Sequence, residues 1–379
     1  MLSYWESQSF LHYDFIIIGS GITGLSTAIE LKERYPKRRV LILERGLLPT
    51  GASTRNAGFA CLGSVTELLD DLENSTEDEV VRLFEWRKKG LEKLRKRLGD
   101  ETIGYAERGS FELISEDEKE ALGKIEYLNQ LLKGSVEKPV YKLANDQIDE
   151  FGFSRKKVIS LIETNGEGEL HTGKMMRALI DRALSLEIEI KTGANVQSYL
   201  QENKSVSVQV WNPFSREKLL FLAGKLILCT NAFTSELLPG EDIRPGRGQV
   251  LITSPIKNLK IKGIFHFDKG YYYFREIDGR ILLGGGRNLD FLTEENTSFE
   301  LNDQIQQVLE EKLRDIILPG ISFSIDQRWS GIMAFGANKF PIIRKFSENV
   351  YGAFRLGGMG VALGSKVAEK LADLIVETD

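Results

Sequence analysis

The feature that most constrains this chain is an apolar run that ends in a glycine-rich turn. Residues 14–18 lead into Gly19, Gly21 and Gly24 in the spacing GxGxxG, and a second apolar run over residues 40–43 ends at Glu44. Gly19 permits a tight turn, Gly21 lets a pyrophosphate approach bare backbone, and Gly24 lets the following helix lie close to the sheet. The unpaired N–H groups of that helix favour an anion, and Glu44 stands where a ribose offers hydroxyls. The pattern predicts a parallel βαβ unit that binds a dinucleotide.

Composition excludes several other classes of protein. With 379 residues, 42% of them hydrophobic, the chain is long enough for about two domains. The net charge of −5 offers no general attraction to nucleic acid or to an anionic membrane surface. The sequence has no run of about 18 apolar residues and no basic start followed by an apolar block. We therefore expect no nucleic-acid partner, no membrane span and a cytoplasmic location.

Cysteine and histidine give no sign of a metal site. Cys61 and Cys229 form no CxxC motif, and His12, His171 and His266 lack the spacing of metal ligands. We expect reduced cysteines, histidines in ordinary hydrogen-bonding roles, and no metal.

Hydrophobic periodicity separates helical from strand-rich regions. Residues 67–152 read as charged helices, one of them over 78–98, with a short strand near 109–115. A helix capped by Thr172 runs towards Leu186. Further strands are predicted at 205–211 and 225–229, and short antiparallel strands at 249–253, 270–275, 280–283 and 322–328, with a hairpin turn at Asp278-Gly279.

A second glycine-rich turn lies close to the end of the chain. Residues 349–354 read as a strand, Gly357 to Gly360 as a turn, and residues 361–376 as a helix. The backbone N–H groups and positive dipole end of such a helix suit the pyrimidine edge of a flavin, where reduction deposits negative charge. A nicotinamide needs no such partner. The turn favours a flavin, while a glycine turn used only for close packing is the alternative.

Seven motifs in family order resemble the D-amino-acid oxidase and glycine oxidase family of FAD-dependent amine oxidoreductases, over nearly the whole chain. The motifs are residues 19–24 with Glu44 and Arg45, residues 51–58, 229–233, 247–249, 272–275 with 278–280 and 284–285, 329–331, and 357–361. The block at 51–58 and the pair Asn231-Ala232 are similar to gamma-glutamylputrescine oxidoreductases, whereas Arg247-Gly248-Gln249 is similar to glycine oxidases.

The expected architecture is an α/β fold, a Rossmann-like FAD-binding domain with an inserted α+β substrate domain built on a mainly antiparallel sheet. We assign residues 1–66, 153–234 and 328–379 to the FAD-binding domain. Residues 67–152 and 235–327 are assigned to the substrate domain. The flavin ring is expected at the junction of the two.

The resemblance also implies which residues hold FAD. They are Gly19, Ser20, Gly21, Ile22, Thr23 and Gly24 at the pyrophosphate, Glu44 at the ribose, Arg45 and Val196 near the adenine, Ser53, Thr54, Arg55, Asn56, Ala57 and Gly58 on the path to the isoalloxazine, Thr230, Asn231, Ala232 and Gly331 along the channel, and Gly357, Gly358, Met359, Gly360 and Val361 at the pyrimidine. Some sarcosine oxidases link their flavin through a cysteine that aligns near Ile332. The FAD of this chain is therefore expected to be non-covalent.

The reaction implied by the resemblance is oxidation of a carbon–nitrogen bond. Hydride passes from the carbon that bears a neutral amine to flavin N5, and the imine is then hydrolysed, so the protein needs little acid–base machinery. The expected substrate is a small primary or secondary amine or an amino acid, with oxygen or another electron acceptor. Two alternatives are oxidation of an amine on modified tRNA and FAD binding without turnover.

The substrate pocket is less well marked than the cofactor site. Family members usually carry a carboxylate-binding arginine just after the Trp-x-Gly motif, where this chain has Ile332 and Met333. Arg275, Arg287 or Arg328 is left either to grip a carboxylate or to form a structural ion pair. Residues 271–274 are expected to lie in a strand, where Tyr271 and Tyr273 face one side of the sheet and Tyr272 and Phe274 face the other. The candidate pocket residues are Phe59, Tyr272, Tyr273, Arg275, Arg328 and Met333.

Overall fold

The computed structural model describes residues 2–212 and 214–378. Its strands are β1 His12–Ile18, β2 Val40–Leu43, β3 Phe59–Ala60, β4 Ser110–Ile114, β5 Tyr141–Leu143, β6 Ser160–Thr164, β7 Gly168–Glu169, β8 Glu189–Lys191, β9 Asn195–Gln201, β10 Val206–Asn212, β11 Glu217–Leu228, β12 Arg244–Thr253, β13 Ile264–Phe267, β14 Tyr272–Ile277, β15 Arg280–Gly285, β16 Ile325–Phe335, β17 Ile342–Ser347 and β18 Val350–Phe354.

The α-helices are α1 Tyr4–Phe10, α2 Ile22–Arg34, α3 Ala52–Arg55, α4 Val65–Asn74, α5 Glu77–Leu98, α6 Asp100–Ile103, α7 Ile125–Leu132, α8 Gln147–Phe151, α9 Thr172–Ser185, α10 Phe291–Glu294, α11 Asp303–Lys312 and α12 Gly360–Glu377. Segments of 3-10 helix cover Glu116–Lys124, Asn231–Glu236 and Arg287–Leu289, and Leu313–Ile317 forms a π-helical turn. None of the helices in the described ranges is long and apolar enough to cross a bilayer.

The first sheet carries the predicted βαβ unit. Its strands lie in the order β17-β18-β11-β1-β2-β8, with β10 and β9 added beside β11. The pairs β18–β11, β11–β1, β1–β2 and β2–β8 are parallel, which confirms the βαβ prediction. The expectation of a parallel sheet needs correction at the margins, because β17, β10 and β9 join through antiparallel hairpin pairs.

The second sheet is mainly antiparallel, as predicted. Its order is β16-β12-β15-β14-β13-β4-β6-β5, and only β13 and β4 run parallel. The predicted hairpin joins β14 to β15, with Asp278 at φ 50° and Gly279 at φ 72°, the positive values that this kind of tight turn needs. The sheet buries a phenylalanine cluster in which Phe265 and Phe274 stack 4.7 Å apart.

The division into an FAD-binding and a substrate domain stays a prediction. The pairing of two strands bears on where its boundaries fall. Strand β6 falls within residues 153–234, which the sequence assigns to the FAD-binding domain, but it is hydrogen-bonded into the second sheet beside β4. Strand β16 pairs along its whole length with β12, so the second sheet continues past residue 328.

The start of α9 differs from the sequence prediction in its cap. The helix begins at Thr172, but His171 is the N-cap, and its Nδ1 accepts a hydrogen bond from Lys174 N at 3.2 Å. The Thr172 hydroxyl instead donates to Asn56 Oδ1 at 2.9 Å. A histidine ring can therefore cap a helix when the neighbouring threonine is used by another segment.

Two helices bring their N-termini to the same edge of the first sheet. Helix α2 follows β1, and α12 follows β18 by way of the second glycine turn. The two pack against each other closely, since a Cβ added to Gly364 would lie 2.5 Å from Ile22 Cγ2. Both helix N-termini are consequently held beside the carboxyl ends of the parallel strands.

Candidate functional site

A cavity of about 480 Å³ opens at the carboxyl edge of the first sheet. Parallel strands β18, β11, β1 and β2 end there, and the residues that follow them, including Gly357, Thr230, Gly19 and Glu44, line it. The opposite wall comes from the second sheet. Ligands of open α/β sheets bind outside the carboxyl ends of the strands, so this cavity is the candidate site.

The first glycine turn is fixed by close backbone contacts. Gly19 has φ 101°, and a Cβ added to it would lie 2.7 Å from Cys229 O. A Cβ on Gly24 would lie only 1.9 Å from Gly19 O. Gly21 is the N-cap of α2 without a side-chain cap, and Ile22 N donates to Ser53 Oγ at 3.0 Å. Only glycine allows the turn and the helix to approach each other this closely.

The predicted ribose and adenine residues lie together beside this turn. Glu44 accepts hydrogen bonds from Ser20 N at 3.0 Å, Ser20 Oγ at 2.8 Å and Gly46 N at 2.9 Å. The Arg45 guanidinium lies 3.6 Å from the ring centroid of Phe233. Glu44, Arg45 and Val196 all line the cavity.

The segment after Thr50 is held by its own side chains. Arg55 donates to Thr50 O at 3.1 Å and to Ser330 O at 2.8 Å, which ties α3 to β16. Asn56 Oδ1 accepts from Gly58 N at 2.9 Å, and a Cβ on Gly58 would lie 2.2 Å from Leu170 O. Of the predicted cofactor residues, Ser20, Gly24, Thr54, Gly58 and Ala232 lie behind the cavity surface and the remainder line it.

The second glycine turn reaches the same cavity. Gly357 and Gly358 have φ 56° and 82°, and Gly357 N donates to Ala334 O of β16 at 3.0 Å. Asn231 takes the left-handed conformation expected for it, at φ 48°, and its Oδ1 accepts from Arg355 N at 3.0 Å. This side chain links the end of β11 to the end of β18, so the turns after the two strands are held beside each other.

Both helices that point at the cavity begin without a side-chain cap. Gly21 of α2 and Met359 of α12 contribute no capping hydrogen bond, whereas Ser64 and Thr76 cap α4 and α5. The buried hydroxyl of Thr23 also has no hydrogen-bond partner among the described residues. At α2 the first N–H, that of Ile22, is bound by Ser53 Oγ. Two helix N-termini that lack a cap from their own N-cap residue fit a long ligand with a pyrophosphate and, at the other end, an acceptor-rich ring.

The second sheet and strand β3, which pairs with β7, supply an aromatic and apolar wall. Phe59 packs between His266 and Tyr273, with ring centroids 5.1 and 5.6 Å apart, and Met333 Sδ would lie 3.4 Å from a Cβ on Gly358. Burial raises the pKa of Tyr273 to about 12, so its phenol keeps its proton at neutral pH. The predicted pocket residues Phe59, Tyr273 and Met333 come together here, together with Tyr271.

Three other predicted pocket residues need correction, because the structure uses them elsewhere. Tyr272 stacks on Phe267 at 4.9 Å inside the core. Arg275 donates to Leu170 O at 2.8 Å and lies 3.5 Å from a carboxylate oxygen of Glu169. Arg328 donates to Gln306 Oε1 and Glu310 Oε1, each at 2.7 Å. None of these three side chains reaches the cavity.

Sequence reasoning missed a charged group in the wall. Glu67 at the start of α4 lies 3.3 Å from Arg87 and 3.8 Å from Lys339, and Lys339 also pairs with Asp71. Burial opposes ionisation of Glu67, but the positive charges of Arg87 and Lys339 outweigh it and lower its pKa. These residues come from separate segments of the chain, so no motif or spacing in the sequence indicates that they meet.

Three side chains of metal-ligand type also meet at this wall, where Cys61 and His266 line the cavity and Glu167 does not. The ligand atoms of Cys61, Glu167 and His266 lie within 4.8 Å of one another, which the sequence spacing did not predict. The Glu167 carboxylate already accepts from Leu62 N, Gly63 N and Ser110 Oγ at 2.5, 2.9 and 2.6 Å. We therefore read Glu167 as the anchor of the loop that carries Cys61.

A buried carboxyl group positions α4 and predicts a pH dependence of stability. Glu112 accepts from Ser64 Oγ at 2.7 Å and Val65 N at 2.9 Å, and burial raises its pKa to about 7. A pKa raised in the folded state gives stability that is complete below the unfolded pKa of 4.5 and is lost as pH rises through 7. We expect this group to remove about 2 kcal/mol of the free energy of unfolding between pH 5 and pH 8.

Urea unfolding of the wild type and Glu112→Gln at both pH values measures this effect. The amide of Glu112→Gln does not ionise. The difference in free energy of unfolding between the wild type and this variant should therefore change by about 2 kcal/mol between pH 5 and pH 8. Parallel pH curves would show that the carboxylate is accommodated as an anion throughout.

Known proteins of similar sequence and structure cover nearly the whole of this chain. A family model described as "FAD dependent oxidoreductase" (DAO) matches residues 14–374. The probable oxidoreductase OrdL of Haemophilus influenzae is 24% identical, over 97% of this chain and 84% of that protein. The bifunctional protein ThiO/ThiG of Trichormus variabilis is 27% identical over 96% of this chain, which spans about half (53%) of that protein. The crystal structure of glycine oxidase from Geobacillus kaustophilus matches with a TM-score of 0.77 at 19% identity, over 97% of this chain and 96% of that one.

Proposed function

Because this chain belongs to the DAO family of FAD-dependent oxidoreductases, we propose that it oxidises a carbon–nitrogen bond of a small amine or amino acid. The family and the α/β fold predicted from the motifs are confirmed. The observation that carries the proposal is the cavity between the two sheets, which is reached by two helix N-termini without a cap from their own N-cap residues and is closed by an aromatic wall.

The cofactor residues that we propose are those predicted from the motifs. The N-terminus of α2, with the unpartnered Thr23 hydroxyl, would hold the pyrophosphate, and Glu44 the ribose. The N-terminus of α12 would face the pyrimidine edge. Non-covalent binding is supported by Ile332, an apolar residue that is 1% exposed and packs with Ala232 and Ala334.

The chemistry can be divided between the cofactor and the chain. FAD, when bound, supplies the acceptor for the hydride that leaves the substrate carbon. Phe59, Tyr273 and Met333 exclude water and orient the substrate, and the protonated Tyr273 phenol is a hydrogen-bond donor. We assign no catalytic acid or base, because a neutral amine needs none to give up hydride.

Anaerobic reduction of the FAD-loaded protein tests the proposal. Purified protein is mixed without oxygen with a panel of amines, amino acids, polyamine derivatives, modified tRNA, and hydroxy acids as nitrogen-free controls. Bleaching of the flavin absorption by at least one amine or amino acid, and not by the hydroxy acids, is expected. Re-oxidation in air then reports whether oxygen serves as the acceptor.

Other outcomes would replace the proposal with a different function. Bleaching by modified tRNA alone would assign a nucleic-acid-bound amine as the substrate. Bleaching by a hydroxy acid alone would assign a carbon–oxygen bond. Bound FAD that no compound bleaches would leave a cofactor-binding protein without turnover.

A further inference from the structure

The charged side chains that line the cavity are engaged with partners, with one exception among residues 2–212 and 214–378. Lys269 pairs with Asp70 at 2.9 Å, and Lys339 with Glu67 and Asp71. Arg45 pairs with Glu236, and Glu44 and Arg55 are hydrogen-bonded as described above. Arg287 is the exception, because among the described residues its side chain has no ion-pair or hydrogen-bond partner.

The surroundings of Arg287 hold its guanidinium in place without neutralising it. The guanidinium carbon lies 3.9 Å from the ring centroid of Phe335 and 4.7 Å from that of Phe291. A Cβ added to Gly246 would lie 3.0 Å from its Nη1, so glycine at that position leaves room for it. No carboxylate or carbonyl within the described ranges lies at hydrogen-bond or ion-pair distance from it.

Position and chemistry then define the kind of ligand. Arg287 follows β15 of the second sheet, on the wall that carries Tyr273 and Met333, whereas the first glycine turn belongs to the first sheet. A guanidinium packed between aromatic rings has lost water, and only an anion with two oxygens uses its planar fork fully. The position where family members place a carboxylate-binding arginine is occupied here by Ile332 and Met333.

We propose that Arg287 binds the carboxylate of the substrate, so that the amine oxidised by this chain is an amino acid or another carboxylated amine. The inference rests on the proposed function and narrows its substrate class. It assigns Arg287 to substrate binding and leaves the cofactor to the residues around the two glycine turns.

Benzoate and benzamide probe the site without turnover. Titration of either compound into the FAD-loaded wild type, Arg287→Met, Arg287→Lys and Arg314→Met is followed by the change in flavin absorption. Arg314 lies on the surface, 52% exposed, and is the matched control for loss of an arginine. We expect benzoate but not benzamide to bind the wild type and Arg314→Met, with affinity at least about 30-fold lower for Arg287→Met. The benzoate affinity of Arg287→Lys should lie between those of the wild type and Arg287→Met, because lysine keeps the positive charge but lacks the planar fork of the guanidinium.

A matched set of substrates separates this inference from the proposed function. Glycine is compared with methylamine, and proline with pyrrolidine, in anaerobic reduction. A preference for the carboxylated member that disappears in Arg287→Met, with unchanged FAD content, supports the inference. Arg287-dependent benzoate binding in a protein that no amine reduces would support the assignment of Arg287 as a carboxylate-binding residue while the proposed oxidation of amines fails.

Three results would overturn the inference. Equal benzoate affinity in the wild type and Arg287→Met would remove the arginine from the site. Loss of FAD in Arg287→Met would assign the side chain to the cofactor. Fast reduction by amines that lack a carboxylate, without any benzoate binding, would agree with the proposed function but would refute the inference that the substrate carries a carboxylate.

Discussion

Replacement of Gly24 by valine is expected to leave the protein nearly free of FAD. Even the first side-chain carbon would lie 1.9 Å from Gly19 O, a backbone atom that cannot move without opening the turn. The shift would displace Ser20, which donates two hydrogen bonds to Glu44, and the N-terminus of α2, where Ile22 N donates to Ser53 Oγ. We expect FAD affinity to fall by about 100-fold or more, measured as flavin bound per chain after equilibrium dialysis.

A matched glycine substitution controls for general effects on folding. Gly123 lies in the 3-10 segment Glu116–Lys124 outside the positive-φ region, and a Cβ added to it meets no atom within 4 Å, so Gly123→Ala should bind FAD like the wild type. Circular dichroism checks that Gly24→Val keeps its secondary structure. Stoichiometric FAD in folded Gly24→Val would contradict the role given to the turn.

Replacement of Arg247 by methionine should cause the largest loss of stability. Arg247 and Glu294 are 3% and 0% exposed, and the guanidinium donates to both carboxylate oxygens at 2.9 and 2.6 Å. Removal of Arg247 leaves a buried carboxylate that keeps hydrogen bonds from Gln249 and Asn302 but has lost its cationic partner, which costs about 3–5 kcal/mol. Urea unfolding at one fixed FAD concentration measures this, since bound FAD itself stabilises the folded state.

The double variant distinguishes a lost charge partner from lost packing. Arg247→Met with Glu294→Leu removes both charges and should recover most of the stability lost in the single variant. The exposed control Arg314→Met should change the free energy of unfolding by less than about 0.5 kcal/mol. A loss below about 1 kcal/mol in Arg247→Met would mean that water reaches Glu294.

The parts of the fold that the sequence predicted are those governed by local rules. The glycine spacing around Gly19 and the apolar strands on either side predicted the βαβ unit, because turn, helix and strand are neighbours in the chain. The Asp278-Gly279 hairpin is equally local. The alternation of Tyr271 to Phe274 correctly placed Tyr272 and Phe274 on one face, but the sequence could not say which face is the core.

The parts that escaped prediction depend on pairing across the chain. The sequence makes Arg275 a candidate for binding a substrate carboxylate, but the fold places the carboxylate of Glu169 beside it. Glu67 and Lys339 lie far apart in the sequence and meet only because α4 and the loop after β16 border one cavity. His171 caps α9 because Asn56, from another segment, takes the hydroxyl of Thr172. Such choices follow from tertiary contacts, which periodicity does not contain.

The central claim is that the turns at Gly19 and Gly357 hold opposite ends of one FAD. A structure of the protein determined after loading with FAD tests this most directly. The pyrophosphate is expected at the N-terminus of α2 and the flavin ring between the Gly357 turn and the wall of Phe59, Tyr273 and Met333, with no bond to the chain. A protein that takes up no FAD, or that binds it away from either turn, would contradict the claim.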